Sequence, residues 1–240
     1  MAMTTWLTLH RVRLGEMRDG AGRPLPGPAL ARHWRFYPDS AFEPGVGPTL
    51  RSDIWGGFAM YDSREDAETV LADPAAHIPC LADAAESWHG LALPVAHRGA
   101  VNWRGAVEHD GAVTPAPTDP GGALCVLTSA GYDPATRAGD GRVPVFFDQV
   151  ASARSFYEGA AGNLAVAVYA GGAVDGHDGL TMTLWRDDAS MLAAAYRSGT
   201  HRDHLARHKA TPIFDRSSFT RARVLVSRGS WDGRDPLAAQ

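Results

Sequence analysis

The chain is poor in several things, and each shortage removes a class of protein. Two cysteines in 240 residues, Cys80 in HIPCLAD and Cys125 in GALCVLTS, cannot build a disulfide framework and lack the paired spacing of a zinc knuckle. Cys125 lies in an apolar strand pattern and reads as a small buried hydrophobe. Cys80 reads as buried and inert, with a thiolate ligand as the lesser alternative. No apolar run approaches the about 18 residues of a membrane span, and the opening MAMTTWLTLHRVRL lacks a basic head, a long apolar core and a small-residue cleavage site. A cytoplasmic chain is expected. Positive charge is also scarce: a formal net charge of −4 and arginines scattered along the chain give no basic field for a nucleic-acid partner. There is no GxSxG elbow, no GxGxxG, no P-loop lysine and no HExxH, so serine hydrolysis, dinucleotide or phosphate cradling and zincin chemistry all lack a signature.

What is present is an ordinary globular composition, 45% apolar and 21% charged, enough for a sizeable core. The chain is also written twice. GGFAMYDSREDAETVLADPAAH (56–77) and DGLTMTLWRDDASMLAAAYRSGTH (178–201) each give a glycine, an alternating strand, an acidic Arg-containing turn, an Ala-rich helix and then a His. Met60 and Met182 stand 122 positions apart, half the chain. Downstream, LPVAHRGAVNWRG (93–105) matches VLVSRGSWDG (224–233); upstream, WLTLHRV (6–12) and ALCVLTS (123–129) open the two halves. The order in each half, strand, helical segment, strand, strand, helix, strand, is the ferredoxin-like βαββαβ unit. One such sheet leaves a face bare, and a second copy supplies the cover. The expected fold is α+β: two tandem ferredoxin-like halves, 1–108 and 123–240, forming an intramolecular dimeric α/β barrel, joined by the Pro/Gly/Asp/Thr-rich linker 109–122. A single α+β domain with similar strand-turn-helix pieces is the alternative.

Histidine is locally abundant. YRSGTHRDHLARH (196–208) holds His201, His204 and His208; on a helix, His204 and His208 are neighbours, while His201, Leu205 and His208 form one stripe. Leu205 points that stripe inward, where a neutral imidazole can serve as a proximal haem ligand. A His-x₃-His pair alone makes an incomplete zinc site, and a solvated polar face near a helix end is the plain alternative. Two aromatic segments offer walls for a pocket: RHWRFYPDSAF (32–42), with Trp34, Arg35, Phe36 and Tyr37, and SARSFYEGAAG (152–162), with Arg154, Phe156 and Tyr157. An apolar wall with one cation suits an amphipathic ligand or a haem propionate, placing Arg35 and Arg154 at a cofactor and Trp34, Phe156 and Tyr157 at a substrate. The same aromatics serve equally as core.

Residues 179–237 resemble the C-terminal half of the spheroidene monooxygenase family, relatives of the antibiotic-biosynthesis monooxygenases that share the dimeric α/β barrel. The matching pieces are Trp185-Arg186, Tyr196-Arg197 followed by His201-Arg202-Asp203, the aromatic pair Phe214 and Phe219, and Gly229-Ser-Trp231-Asp-Gly233-Arg234-Asp235-Pro236. Arg221-Ala222 replaces the Arg-Phe pair of such proteins, and YAGGAVDGHDG (169–179) is an unusual turn. The resemblance implies a haem-dependent mono-oxygenase, with haem b and a hydrophobic small-molecule substrate of secondary metabolism. Within it His201 takes the matched position as axial ligand, with His204 or His208 as alternatives; Arg197 stands beside it as a catalytic residue, and Phe214 and Phe219 line the substrate. His77 occupies the corresponding place in the first half. A cofactor-free enzyme and a non-catalytic hydrophobic-ligand binder on the same barrel stay open, as does the choice of monomer or homodimer.

Overall fold

The computed structural model describes residues 3–16, 25–43, 47–100, 113–131, 139–169, 179–197 and 214–238. Its eight strands are β1 (Trp6–Leu14), β2 (His33–Glu43), β3 (Gly47–Tyr61), β4 (Ala84–Gly99), β5 (Leu124–Gly131), β6 (Asn163–Tyr169), β7 (Gly179–Trp185) and β8 (Arg216–Gly229). They close into one antiparallel barrel in the order β1-β3-β2-β6-β7-β5-β8-β4 and back to β1, a closure that leaves no free edge to pair with another chain. Residues 1–108 therefore contribute β4-β1-β3-β2 and residues 123–240 contribute β8-β5-β7-β6, the same sequence of fourth, first, third and second strand. The contributions join along β4 and β8, from Trp88 opposite Gly229 to Gly99 opposite Ser218. On the other side β2 and β6 meet at a single pair, Asp39 opposite Tyr169.

Strand alternation sorts every side chain to the lumen or to the outside. On β1, Leu7 and Leu9 turn inward with their cross-strand neighbours Met60 and Phe58, while Val12 and Leu14 turn outward. On β7, Leu180, Met182 and Leu184 face the lumen and Trp185 the helices, the split expected from the sequence pattern. Met60 lies opposite Leu7 and Met182 opposite Leu127, both inward on the third strand of their set. Trp88, Cys125 and Leu127 complete the filling, as an eight-stranded barrel requires, since its interior is just wide enough for side chains. Tyr169 needs Gly56 beneath it: a Cβ there would lie 2.2 Å from the phenol oxygen. The segment GSWDGRDPL closes one end, with Trp231 5.5 Å from Trp88 and the Arg11 guanidinium 5.0 Å above the Trp231 ring and 2.8 Å from Asp232.

Among the described residues four helices lie outside the barrel: α1 (Arg64–Ala72) and α2 (Pro74–His77) after β3, α3 (Arg142–Glu158) between β5 and β6, and α4 (Asp188–Leu192) after β7. Ser63 caps α1 by accepting the Asp66 amide, and Asp187 caps α4 by accepting that of Ser190. A 3-10 turn (Pro79–Asp83) follows α2, and a π turn (Ala193–Arg197) continues α4. The expected order of elements holds in the second half. In the first, no helix stands between β1 and β2 among the described residues. There Pro26 and Pro28 cannot donate to a helical ladder, and Leu25 bonds instead to the Phe36 carbonyl at 3.2 Å. Residues 113–122 form no strand or helix; Val113 is buried with the lumen residues, and Thr114 bonds to Thr5.

Candidate functional site

Among the described residues the lumen is filled with side chains, so the outer faces of the sheet are the candidate ligand surfaces. The first-half face is closed. Val12, Phe36, Trp55, Ala59, Tyr61 and Leu91 lie beneath Ala67, Val70, Leu71, Ile78, Cys80 and Leu81, and none of these twelve is more than 9% exposed.

The second-half face is built on the same alternation and, among the described residues, is packed at one end. Its floor is Leu124, Val126 and Thr128 on β5, Thr181, Thr183 and Trp185 on β7, and Phe219, Arg221 and Arg223 on β8, residues that stand opposite one another in register. At one end the floor is packed: Leu124 and Trp185 are buried under Met191, Ala194 and Ala195, with Phe156 and Tyr157 of α3 against them. The Tyr157 and Trp185 rings meet edge to face at 5.4 Å, and Trp185 Nε1 donates to Thr183 at 2.9 Å. At the other end Val126, Thr128, Thr181, Phe219 and Arg221 are only half-buried. Phe214 stands over the other end of α3, edge-on to Phe146 at 4.4 Å, with Phe147 beside it. Burial pushes the Tyr157 phenol pKa up, and the neighbouring Tyr196 adds to it, so Tyr157 stays a neutral hydrogen-bonding group.

Arginine fixes the geometry of this face. The buried Arg223 guanidinium bonds both Asp119 oxygens, at 2.7 and 2.8 Å, the Gly122 carbonyl at 3.0 Å and the Asp188 carboxylate at the start of α4. Its bonds hold the Asp119 carboxyl at about 2. Arg221 reaches Asp188 at 3.4 Å, and Arg98 lies 4.9 Å above the Phe219 ring. At the β6 entry Gly162 takes a φ of 80° and lies against Ser190, where a Cβ would come within 2.3 Å of the hydroxyl.

The residues singled out from the sequence separate on this frame. Phe156, Tyr157, Phe214 and Phe219 gather on the second-half face. Arg154 reaches the other half: it donates to the Ser40 carbonyl at 2.6 Å, lies 3.6 Å from Asp39 and pairs with Glu158 at 3.0 Å, clamping α3 to β2. The single pocket wall expected of Trp34, Arg35, Phe36 and Tyr37 is not formed. They are consecutive on β2, so Trp34 and Phe36 face the outer layer while Arg35 and Tyr37 stand opposite Phe58 and Gly56 on the lumen side. Trp34 donates to the Leu25 carbonyl at 3.3 Å and packs as cover. His77 ends α2; Cys80 is buried in the first-half layer and Cys125 in the lumen, where burial raises its thiol pKa. His201, His204, His208 and the Arg197 side chain lie outside the described residues. The two ends of that stretch are placed: Tyr196 is beside Tyr157, and Phe214 is on Phe146 of the same helix. Reading the sequence missed Trp185, the Arg223 network and Phe146; only the family-matched Trp185-Arg186 pointed toward any of them.

A closed antiparallel sheet with helices against its outer faces defines an α+β barrel. The chain is 27% identical over 221 residues to spheroidene monooxygenase of Rhodobacter capsulatus, a match covering 91% of this chain and 86% of that protein. The family resemblance carried by residues 179–237 therefore extends through both halves. Among solved structures, an aldoxime dehydratase superposes with a TM-score of 0.51 at 10% identity, over 93% of this chain and 82% of that one. An anthrone oxidase-like protein aligns over 99% and 97% at 12% identity, with a TM-score of 0.33. No family model matches the chain. Among the described residues no helix is long and apolar enough to cross a membrane, and no three His, Cys, Asp or Glu side chains group as metal ligands.

Proposed function

We propose that the protein is a mono-oxygenase of the spheroidene monooxygenase type, built from two tandem ferredoxin-like halves, 1–108 and 123–240, and acting on a hydrophobic small molecule at the outer face of the second half. The observation that carries this reading is the half-buried floor of Val126, Thr128, Thr181 and Phe219, bordered by Phe214 and Tyr196 where the chain leaves and re-enters the described structure around 198–213. The likeness to spheroidene monooxygenase, whose name points to a long apolar substrate, supports it.

The described part of the face suits haem b in its chemistry. Its floor sets Val126 and the Phe219 ring among Thr128 and Thr181, and Arg98 and Arg221 stand at the half-buried end, where a carboxylated edge would meet cations. Among the described residues the floor holds no imidazole or thiolate, so the axial ligand would come from His201, with His204 and His208 as alternatives. When bound, haem supplies the iron at which dioxygen is activated. The chain's own part is to bind and orient the apolar substrate on Phe219 and Phe156, to exclude water with α3, and to hold α4 through Arg223 and Asp188.

The test is haem reconstitution of the parent protein and of the His201→Ala, His204→Ala and His208→Ala variants, reading the Soret band and haem content. A Soret band that scales with protein and is displaced most by His201→Ala is expected. Full haem with an unchanged spectrum in all three variants removes the axial-ligand assignment. A parent that binds no haem removes the haem reading and leaves a cofactor-free enzyme or a ligand-binding barrel.

A further inference from the structure

The first-half layer contains a continuous hydrogen-bond chain of five side chains with no part in the proposed site. Tyr61 Oη lies 3.0 Å from Thr8 Oγ1, Thr8 Oγ1 lies 2.7 Å from His10 Nε2, His10 Nδ1 lies 2.8 Å from His89 Nδ1, and His89 Nε2 lies 3.0 Å from Ser87 Oγ. His10 and His89 are 1% and 6% exposed and stand directly opposite each other on β1 and β4. Two neutral imidazoles share one N–H between their facing nitrogens, so the chain is ordered in one of two directions. One added proton is tolerated by the hydrogen bonds but leaves a buried cation. A second sets two N–H groups against each other.

Nothing around the pair balances that charge. On β1 the other partner is Thr8, on β3 Tyr61, and on β4 Ser87; Glu86 and Arg11 point to the lumen side of the sheet. On β8 the residue opposite His89 is Arg228, a cation whose guanidinium bonds the Leu71 carbonyl at 3.2 Å. On β2 Phe36 packs edge-on to His10 at 5.3 Å. The 3-10 turn offers Cys80 and Asp83, with Cys80 lining a small cavity beside His10; α2 offers the half-buried His77, and α1 offers Asp66, which acts on Tyr61 and is tied to Ser63. No carboxylate bonds either imidazole among the described residues.

We propose that the His10–His89 pair is a proton-operated latch: neutral, it stays buried beneath the α1, α2 and 3-10 cover, where Ile78 and Cys80 line the cavity beside His10, and proton uptake releases that cover while the second half keeps its structure. Burial lowers the pKa of both rings, His89 to about 4 and His10 well below its ordinary value, with the His89 charge adding to the latter. The folded state thus resists a proton that the unfolded chain accepts near 6.5, and the latch is lost as pH falls from there toward 4. The proposal is independent of haem.

Hydrogen–deuterium exchange of the full chain, corrected for intrinsic rate and followed across that window, tests it. Protection of residues 64–83 should fall by up to about tenfold per pH unit while β5 and β7 hold theirs. His10→Gln and His89→Gln, which keep a hydrogen-bonding amide and remove the titration, should flatten that dependence. Protection of 64–83 that does not change with pH in the parent overturns the proposal, whatever the variants do. So do imidazoles that titrate near 6.5 in the folded parent by ¹⁵N NMR, or a double variant with the parent's full pH dependence.

Discussion

The two outer faces of the barrel rest on the same kind of floor, strands alternating one side chain in and one out, and differ in what lies on them. On the first half, two helices and a 3-10 turn bring Val70, Leu71, Ile78 and Cys80 down onto Trp55 and Tyr61 until the layer is dry. On the second half, α4 and its π turn run to Arg197, and α3 packs on Trp185, with Val126, Thr128 and Phe219 half-buried. On the function proposed above, the first-half layer serves the fold and the half-buried floor of the second half serves the ligand.

Substitution of one large aromatic from each face breaks or sharpens that contrast with the largest effect. Trp55, 2% exposed and bonded to the Ser52 carbonyl, has its ring enclosed on the first-half side. Trp55→Ala is expected to cost about 3–5 kcal/mol in urea unfolding, a fall of roughly 10 °C in Tm. Phe219→Ala on the second-half face should cost less than Trp55→Ala, because its ring is only partly buried, and should instead weaken haem or apolar-ligand binding. Equal losses of stability from the two variants would mean that both faces are structural.

Acid should separate the halves next. His89 has its pKa depressed from 6.5 to about 4, so the unfolded chain binds the extra proton throughout that interval. The neutral ring's contribution is present above 6.5 and disappears as pH falls toward 4. At about 1.4 kcal/mol per unit this amounts to roughly 3 kcal/mol. Urea midpoints for the parent and His89→Gln, measured at both ends of the window, give the difference directly. If the two proteins lose the same stability, the first-half layer is not where acid acts.

Much of the frame was legible before any coordinates. Alternation in WLTLHRV, ALCVLTS and GLTMTLW gives β1, β5 and β7 with their inward and outward sets, because a half-buried strand has to write its two faces in period two. The spacing of Met60 and Met182 places them on matching third strands. What failed was joint reading of consecutive residues: Trp34 and Arg35 look like one wall in a string of letters and lie on opposite faces of a strand. The partners in the His10 chain were hidden for another reason. His10 and His89 are 79 positions apart, and only the register of β1 on β4 brings their rings together. Arg223 likewise finds Asp119 across 104 positions and Asp188 across 35, a pairing that no local pattern announces. The sequence excess of histidine at 201–208 drew attention to a stretch outside the described residues, while a His pair without local excess lies in the densest layer of the first half.

The smallest expected effect compares the two helix caps that follow the third strand of each set. Ser63 accepts the Asp66 amide at 3.0 Å, and Asp187 accepts the Ser190 amide at 2.7 Å, so each fills the same vacancy at the start of α1 or α4. Ser63→Ala and Asp187→Ala should each cost about 1 kcal/mol near neutral pH. Their pH dependence should differ. The Ser190 amide, the Ser190 hydroxyl and then Arg186 hold the Asp187 carboxyl down from 3.8 to about 2; an anion at a helix N-terminus is also favoured by the backbone dipole. A depressed carboxyl stabilises the fold above its unfolded pKa and ceases to do so as pH falls through its folded one, so the Asp187 cap should fade between about 4 and 2. The Ser63 hydroxyl has no proton to gain in that range. Unfolding free energies of both variants, each taken against the parent at the same pH, should therefore match at pH 7, with the Asp187→Ala penalty shrinking in acid. A constant penalty for both would show that the carboxylate charge contributes nothing beyond the hydrogen bond, and that the two caps are chemically interchangeable despite their different residues.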